Sequence, residues 1–556
     1  MFYEKNKSPY TNAYDTLMKS KRDLDTKFVN DDFEYRTNID DQIDVNNIDT
    51  FVPRVDSNDE LYQEHQETQY KNDNDDFYQA GVTYDPNSGL VPFLDGNYEM
   101  ENKYTDQNQG YTAENNNEQV EFYAEIDENG CIVPFTRTQI EERVFIAYFE
   151  SKGRCLFAKV PIYPGEVIFV EAPVLAATPE LNPELYQILE EMNAEQEFNT
   201  GLLWHLATLH CLTAMSEEDQ NIILQKCVHD PKAPADEDAY RIIERFGLDV
   251  SPVLYQRYIN VWSTNSFAHP VSENGLVLFD KISNADHSCG ASAVWHFQTN
   301  NTFILRARKM LKPGDEISIS YLYDGDLILP THKRREKLLS WRFWCNCNRC
   351  SAPVDRCRGF LCPTCGSGSI FTKRELDEET QEEYSMAAPC NSCNYQFSVD
   401  EILYYEELEN DYLERLKQMS KDDVLDCEVV YVEACKAFRN HYVLYQIEDI
   451  LQHAYYDHGM YLQSAMILQK RIEFVAQAYN CVNFTIATLW EELGDILAEY
   501  ARNQEVIDCF QKSFICRAYE NAFNSYCILS GEDHDYTKSP QLKYQDANEV
   551  VWQSPQ

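Results

Sequence analysis

Cys345-x-Cys347-x2-Cys350 sets three thiols within six residues, and Cys362-x2-Cys365-Gly366 with Cys390-x2-Cys393 forms two paired knuckles. Thiolate is a soft donor suited to tetrahedral zinc, which takes four ligands. Cys362, Cys365, Cys390 and Cys393 therefore close a structural site by themselves, with the spacing of a zinc ribbon. The first set is one donor short and needs a ligand from elsewhere; three free thiols are the alternative. Cys357 lies between the sets and could serve either. Upstream stand Asp286-His287-Ser288-Cys289 and Gly314-Asp315-Glu316-Ile317-Ser318-Ile319-Ser320-Tyr321. A lone cysteine in a turn, a strand ending in tyrosine and a tight cysteine cluster suggest a metal clamp folded against a functional hydroxyl. A tyrosine at a strand end is otherwise a packing residue.

Composition narrows the classes. The chain has 556 residues, a net charge of −46, 44% hydrophobic and 13% aromatic residues. That length supports two to four domains with real cores. The charge argues against a phosphate-binding nucleic-acid reader and for partners rich in Lys and Arg. Eight of the nineteen cysteines fall between Cys345 and Cys393, a density that favours metal over disulfides. The first residues lack the apolar core of a signal peptide, and no apolar run of about 18 residues predicts a membrane span. A reducing compartment, cytoplasm or nucleus, is the expectation.

These groups need elements to hold them. Residues 1–139 carry about 30 acidic and about 11 basic residues without periodicity and read as a disordered acidic tail. Aromatic pairs in it, Phe77-Tyr78 and Glu121-Phe122-Tyr123, are solvated or serve as docking motifs. Order is predicted from Ile140, with strands at Val144–Phe149, Lys152–Ala158 and Ile162–Val170, then Phe303–Leu311 and Glu316–Tyr321, joined by Pro-Gly turns. The β-rich part is split by a helical insert over 180–265, where Leu202, Leu206, Leu209 and Leu212 keep helical spacing and Ser216 caps an acidic first turn. His205, His210, Cys211, Cys227 and His229 in this insert fit no compact finger and read as core or surface. Residues 399–527 are helical, with Trp490-x2-Leu493-Gly494 resembling a tetratricopeptide helix pair. Residues 528–556 are a polar tail.

The blocks together resemble the SET domain of protein lysine methyltransferases, in particular the SET-and-MYND family with its post-SET zinc cluster. The MYND finger is absent, as in an apicomplexan branch that methylates lysines at the apical complex. The resemblance runs from about Val144 to Phe510. It implies an α+β fold: a split SET domain over 140–344, zinc modules over 345–398, and a tetratricopeptide-like helical domain. It also implies that Cys289 completes the site of Cys345, Cys347 and Cys350, and that Tyr321 is catalytic. S-adenosylmethionine would contact Lys152, Gly153, Arg154, Asn265, Asp286, His287 and Phe343, with Trp341 lining the lysine channel. Asn265 and His287 each have an ordinary reading as a capped amide and a satisfied histidine. The family pattern Asn-His-Ser-Cys-x-Pro-Asn has Asp286 and Ser292 at its ends here, and Cys155 replaces a second glycine in the first loop.

The expected activity is S-adenosylmethionine-dependent methylation of a lysine in a basic protein segment, with two structural zinc ions. The alternative is a non-catalytic adaptor recruiting a partner through its helical domain. A zinc-dependent nucleic-acid binder is a third reading, disfavoured by the charge.

Overall fold

The structure is a computed structural model describing residues 125–549 except 129–130, 150–151, 227–233, 299–300, 342, 377–382, 480 and 504–508. The Phe77-Tyr78 and Phe122-Tyr123 motifs, Cys227, His229 and the end from residue 550 lie outside the described residues.

Order starts earlier than the composition suggests. Ile132 exchanges two hydrogen bonds with the Gln298 amide, and Thr136 with Gln139 forms a capping box that opens helix α1 (Arg137–Arg143). Strands β1 (Val144–Phe149) and β2 (Gly153–Ala158) follow as an antiparallel hairpin, and Gly153 turns it at φ 81°. Next come β3 (Val167–Glu171), entered through Gly165 at φ 82°, and β4 (Leu175–Ala177). The insert is helical as its periodicity requires: α2 (Pro183–Glu195), α3 (Leu202–Ala214), α4 (Glu217–Leu224), α5 (Glu237–Phe246) and α6 (Pro252–Asn265). Ser216 caps α4 with Asp219 N on its hydroxyl at 3.2 Å. The insert has its own core around Trp262, Tyr255, Leu206 and Leu209.

The chain then returns to sheet in β5 (Phe267–Ala268), β6 (Leu276–Leu278), β7 (Ala293–Phe297), β8 (Phe303–Ala307) and β9 (Glu316–Ile317). Three small antiparallel sheets result, in the orders β1-β2-β9, β3-β8-β7 and β4-β6-β5. Their shared core gathers Leu156, Phe169, Phe279, Phe303 and Ile317. Strand β9 is shorter than predicted, so Tyr321 stands beyond it, after a parallel bridge that pairs His287 with Ile319.

Short helices α7 (Asp324–Leu327) and α8 (Thr331–Leu338) lead to the cysteine-rich part, whose sheet joins β10 (Arg358–Leu361), β11 (Ser369–Leu376), β12 (Glu383–Ala387) and β13 (Phe438–His441). Helices α9 (Val399–Leu416) and α10 (Val424–Ala434) precede β13. After it come α11 (Tyr442–Asp457), α12 (Tyr461–Tyr479), α13 (Phe484–Arg502) and α14 (Cys509–Leu529). Gly494 of α13 faces the Tyr519 ring so closely that a Cβ there would collide with it.

The expected polar tail from 528 is instead largely helix α15 (Asp535–Glu549), which packs on α14 and reaches α13 through its side chains. Its polarity is absorbed by pairing: Lys543 Nζ meets Glu491 at 2.9 Å and Asp495 at 2.8 Å.

Candidate active site and metal centres

The Asp286–Cys289 turn is strapped to the chain leading into Tyr321. Ile319 N donates to Asp286 O at 3.0 Å and Ser288 N to Ile319 O at 2.9 Å. His287 finishes the strap with both ring nitrogens. Nδ1 accepts from Tyr321 N at 2.9 Å, so Nε2 carries the proton and donates to Cys289 Sγ at 3.2 Å. Burial lowers the His287 pKa to about 4, in keeping with a neutral ring.

Cys289 lies with Cys345, Cys347 and Cys350, all four sulfurs within 4.8 Å of one another. Four sulfurs on a tetrahedral zinc stand about 3.8 Å apart, and Cys350 Sγ lies 3.5 Å from Cys289 Sγ. The donor set and spacing fit zinc. Arg334 of α8, fully buried, donates to Cys350 Sγ at 3.4 Å, and Arg335 donates to Cys345 O at 3.0 Å. Buried guanidinium beside thiolate offsets the charge that four sulfurs bring to one ion. The second set, Cys362, Cys365, Cys390 and Cys393, is equally close, with Sγ pairs at 3.6 and 3.7 Å. Gly368 allows this approach, since a Cβ there would collide with Cys390 Sγ. Cys357 joins neither set; its sulfur accepts from Arg349 at 3.2 Å.

Trp341 and Phe343 arrive on the segment held by the first cluster. The Tyr321 ring centroid lies 5.8 Å from Trp341, 6.2 Å from Phe343 and 5.3 Å from His287, an aromatic wall on one cleft. Tyr321 Oη donates to Ala285 O at 2.9 Å, and burial holds the phenol well above its usual pKa. The cleft encloses about 1070 Å³ and is also lined by Lys152, Arg154, Asn265 and Asp286. Gly153, expected to contact the cofactor, supplies the β1–β2 turn between Lys152 and Arg154 and is not itself among the lining residues. Within the cleft, Lys152 pairs with Glu316 at 2.8 Å, Arg154 Nε donates to Asn284 Oδ1 at 3.1 Å, and Asn265 Nδ2 donates to Val261 O at 3.0 Å.

Two departures from the resembled pattern meet here. Cys155 Sγ donates to Asp286 Oδ2 at 3.1 Å, and burial with this carboxylate pushes the thiol pKa up to about 12. Cys155 pairs with Ala147 in an extended strand, so it needs no positive φ. The third, Ser292, is buried; its hydroxyl donates to Glu316 O and accepts from Ser318 N, both at 2.9 Å.

Residues 153–322 match the SET domain family model. Protein SET DOMAIN GROUP 41 of Arabidopsis thaliana is 32% identical over 103 residues, 18% of this chain and 17% of that protein. A SET and MYND domain-containing protein of Dictyostelium discoideum is 33% identical over 109 residues, 19% of this chain and 28% of that protein. Histone-lysine N-methyltransferase SET5 of Eremothecium gossypii is 28% identical over 116 residues, 20% and 21% of the two chains. The chain thus matches less than a third of the length of each of these relatives. The solved structure of Rubisco LSMT bound to AdoMet aligns at 10% identity and a TM-score of 0.25, covering 74% of this chain and 90% of that one.

Several residues around the SET region carried no signal in the sequence. Glu171 ends β3 and its carboxylate accepts from the backbone N–H of Asp280, Lys281 and Ile282, anchoring the approach to Asp286. Arg308 reaches the helical part, donating to Val482 O at 2.8 Å and lying 5.2 Å from the Tyr479 ring. Arg349 covers Tyr479 at 4.9 Å and donates to Cys289 O at 3.3 Å. His205 is a core histidine, bonded to Thr200 at 2.8 Å and Tyr255 at 3.2 Å.

Proposed function

We propose that the chain is an S-adenosylmethionine-dependent protein-lysine N-methyltransferase, of the SET-and-MYND kind without its MYND finger. The observation that carries this is Tyr321 at a cleft wall whose other rings, Trp341 and Phe343, follow α8 into the Cys289–Cys350 cluster. The polar end at Lys152, Arg154, Asn265 and Asp286 offers charges of both signs, which suits the zwitterionic amino-acid end of the cofactor. When bound, that cofactor supplies an electrophilic methyl group on a sulfonium.

The chain's own part is alignment and desolvation. The aromatic wall excludes water from an incoming lysine, which lowers its pKa and yields the neutral amine that transfer requires. The Tyr321 proton is committed to Ala285 O, so the phenol oxygen offers its lone pairs and can accept an amine N–H. It orients the amine rather than removing a proton. Zinc in the two thiolate sets would be structural, with no open coordination position.

The net charge of −46 favours a partner that is basic overall, and the reading extends to a reducing compartment, cytoplasm or nucleus. Among the described residues no helix is long and apolar enough to cross a membrane. The antiparallel helices α11 to α14, with the close approach at Gly494, support a tetratricopeptide-like platform for a partner protein. The apicomplexan apical-complex branch is the narrower affiliation suggested by the missing finger.

Transfer of labelled methyl groups to candidate proteins tests the reading, with Tyr321→Phe expected to lose at least about tenfold. Equal labelling by both proteins defeats the mechanism. The adaptor alternative has one observation behind it, the Asp286 carboxylate in the cofactor region. Calorimetry with S-adenosylmethionine separates the two, because absence of binding favours the adaptor.

A further inference from the structure

The cleft is also lined by Lys309, Arg349, Arg356, Tyr479 and Cys481. Every carboxylate lining the cleft already has a partner within the chain. Asp286 accepts from Cys155, Glu316 from Lys152, Asp315 from Lys312 N, and buried Asp355 from Thr331 N and Cys357 N. The cations among these lining residues are not matched in the same way. Arg349 is occupied by Cys289 O, the Cys357 sulfur and the Tyr479 ring. Lys309 and Arg356 are exposed and, among the described residues, have no carboxylate within 4.0 Å. The chain has 93 acidic against 47 basic residues, so two cations lining one cleft without a carboxylate partner stand out.

We propose that the protein segment whose lysine enters this cleft carries an aspartate or glutamate within a few residues of that lysine, seated against Lys309 and Arg356. This rests on the lysine-methyltransferase reading and narrows its substrate. The field of the whole chain draws in a partner that is basic overall, while these two side chains select the segment by short-range pairing. Two partly exposed pairs are worth about tenfold in discrimination.

The test is fluorescence anisotropy with two labelled peptides, identical around one central lysine except that the flanking positions are Asp in one and Arg in the other. Binding is read with no methyl transfer required, so a failure here is distinct from a lack of catalysis. The Asp-flanked peptide is expected to bind about tenfold more tightly, and less so as salt rises. In Lys309→Glu/Arg356→Glu the preference is expected to vanish or invert. Both side chains are exposed and outside the catalytic wall, and a thermal melt confirms that the variant is folded. Equal affinities, tighter binding of the Arg-flanked peptide, binding of neither, or an unchanged preference in the double variant overturns the proposal.

Discussion

The contact between Cys155 and Asp286 shows how two departures from a pattern can compensate each other. The residues are 131 positions apart, and the thiol donates to the carboxylate at 3.1 Å. Removing the donor alone leaves a largely buried carboxylate short of a bond, so Cys155→Ala is expected to cost about 1–3 kcal/mol. In an Asp286→Asn background the same change is expected to cost less than about 0.5 kcal/mol, as a double-mutant cycle in urea can measure. Glu171 makes a parallel case, since its loss strands three backbone N–H groups; Glu171→Ala is expected to destabilise by about 3 kcal/mol in the same assay. What the sequence shows at this scale is chemistry with short spacing, such as Cys345 to Cys350 or Cys362 to Cys365. Cys155 with Asp286, Ser292 with Ser318, and Arg308 with Val482 are invisible there, because a contact between distant positions leaves no periodic trace.

Elements carry the next layer. The Pro-Gly turns, the Ser216 cap and the leucine spacing of α3 were legible because each is set by neighbours within a turn or two. The ends of order were not. Residues 131–139 are too short a run to show a period and α15 is polar, yet Gln298 pairs with the first and Glu491 and Asp495 with the second, and composition cannot register a partner. The insert likewise hides a titration. His205 is buried between Thr200 and Tyr255, and burial lowers its pKa from 6.5 to about 3. A depressed histidine in the native state means the unfolded chain binds more protons between those values. Its contribution to stability is therefore full above pH 6.5 and is lost as pH falls toward 3. Unfolding free energy measured against pH should fall more steeply over that window in wild type than in His205→Gln.

At the scale of the molecule the cysteine sets are the fasteners. Cys289→Ser is expected to lower bound zinc from two ions per chain to about one by elemental analysis, and to raise hydrogen exchange around Trp341 and Phe343. The exchange should stay low near Cys390, because the second set holds a different sheet. The helical part is fastened as well: Arg308 holds Val482 O, Asp324 accepts from Phe484 N at 2.7 Å, and Tyr479 packs with Cys289 and Leu322. Tyr479 therefore finishes a cavity that Lys152 also lines, more than three hundred residues earlier in the chain. A ribosome delivering this protein releases that wall more than three hundred residues after Lys152, so a nascent chain stalled before α12 holds every sulfur ligand and Tyr321 but an open-sided chamber.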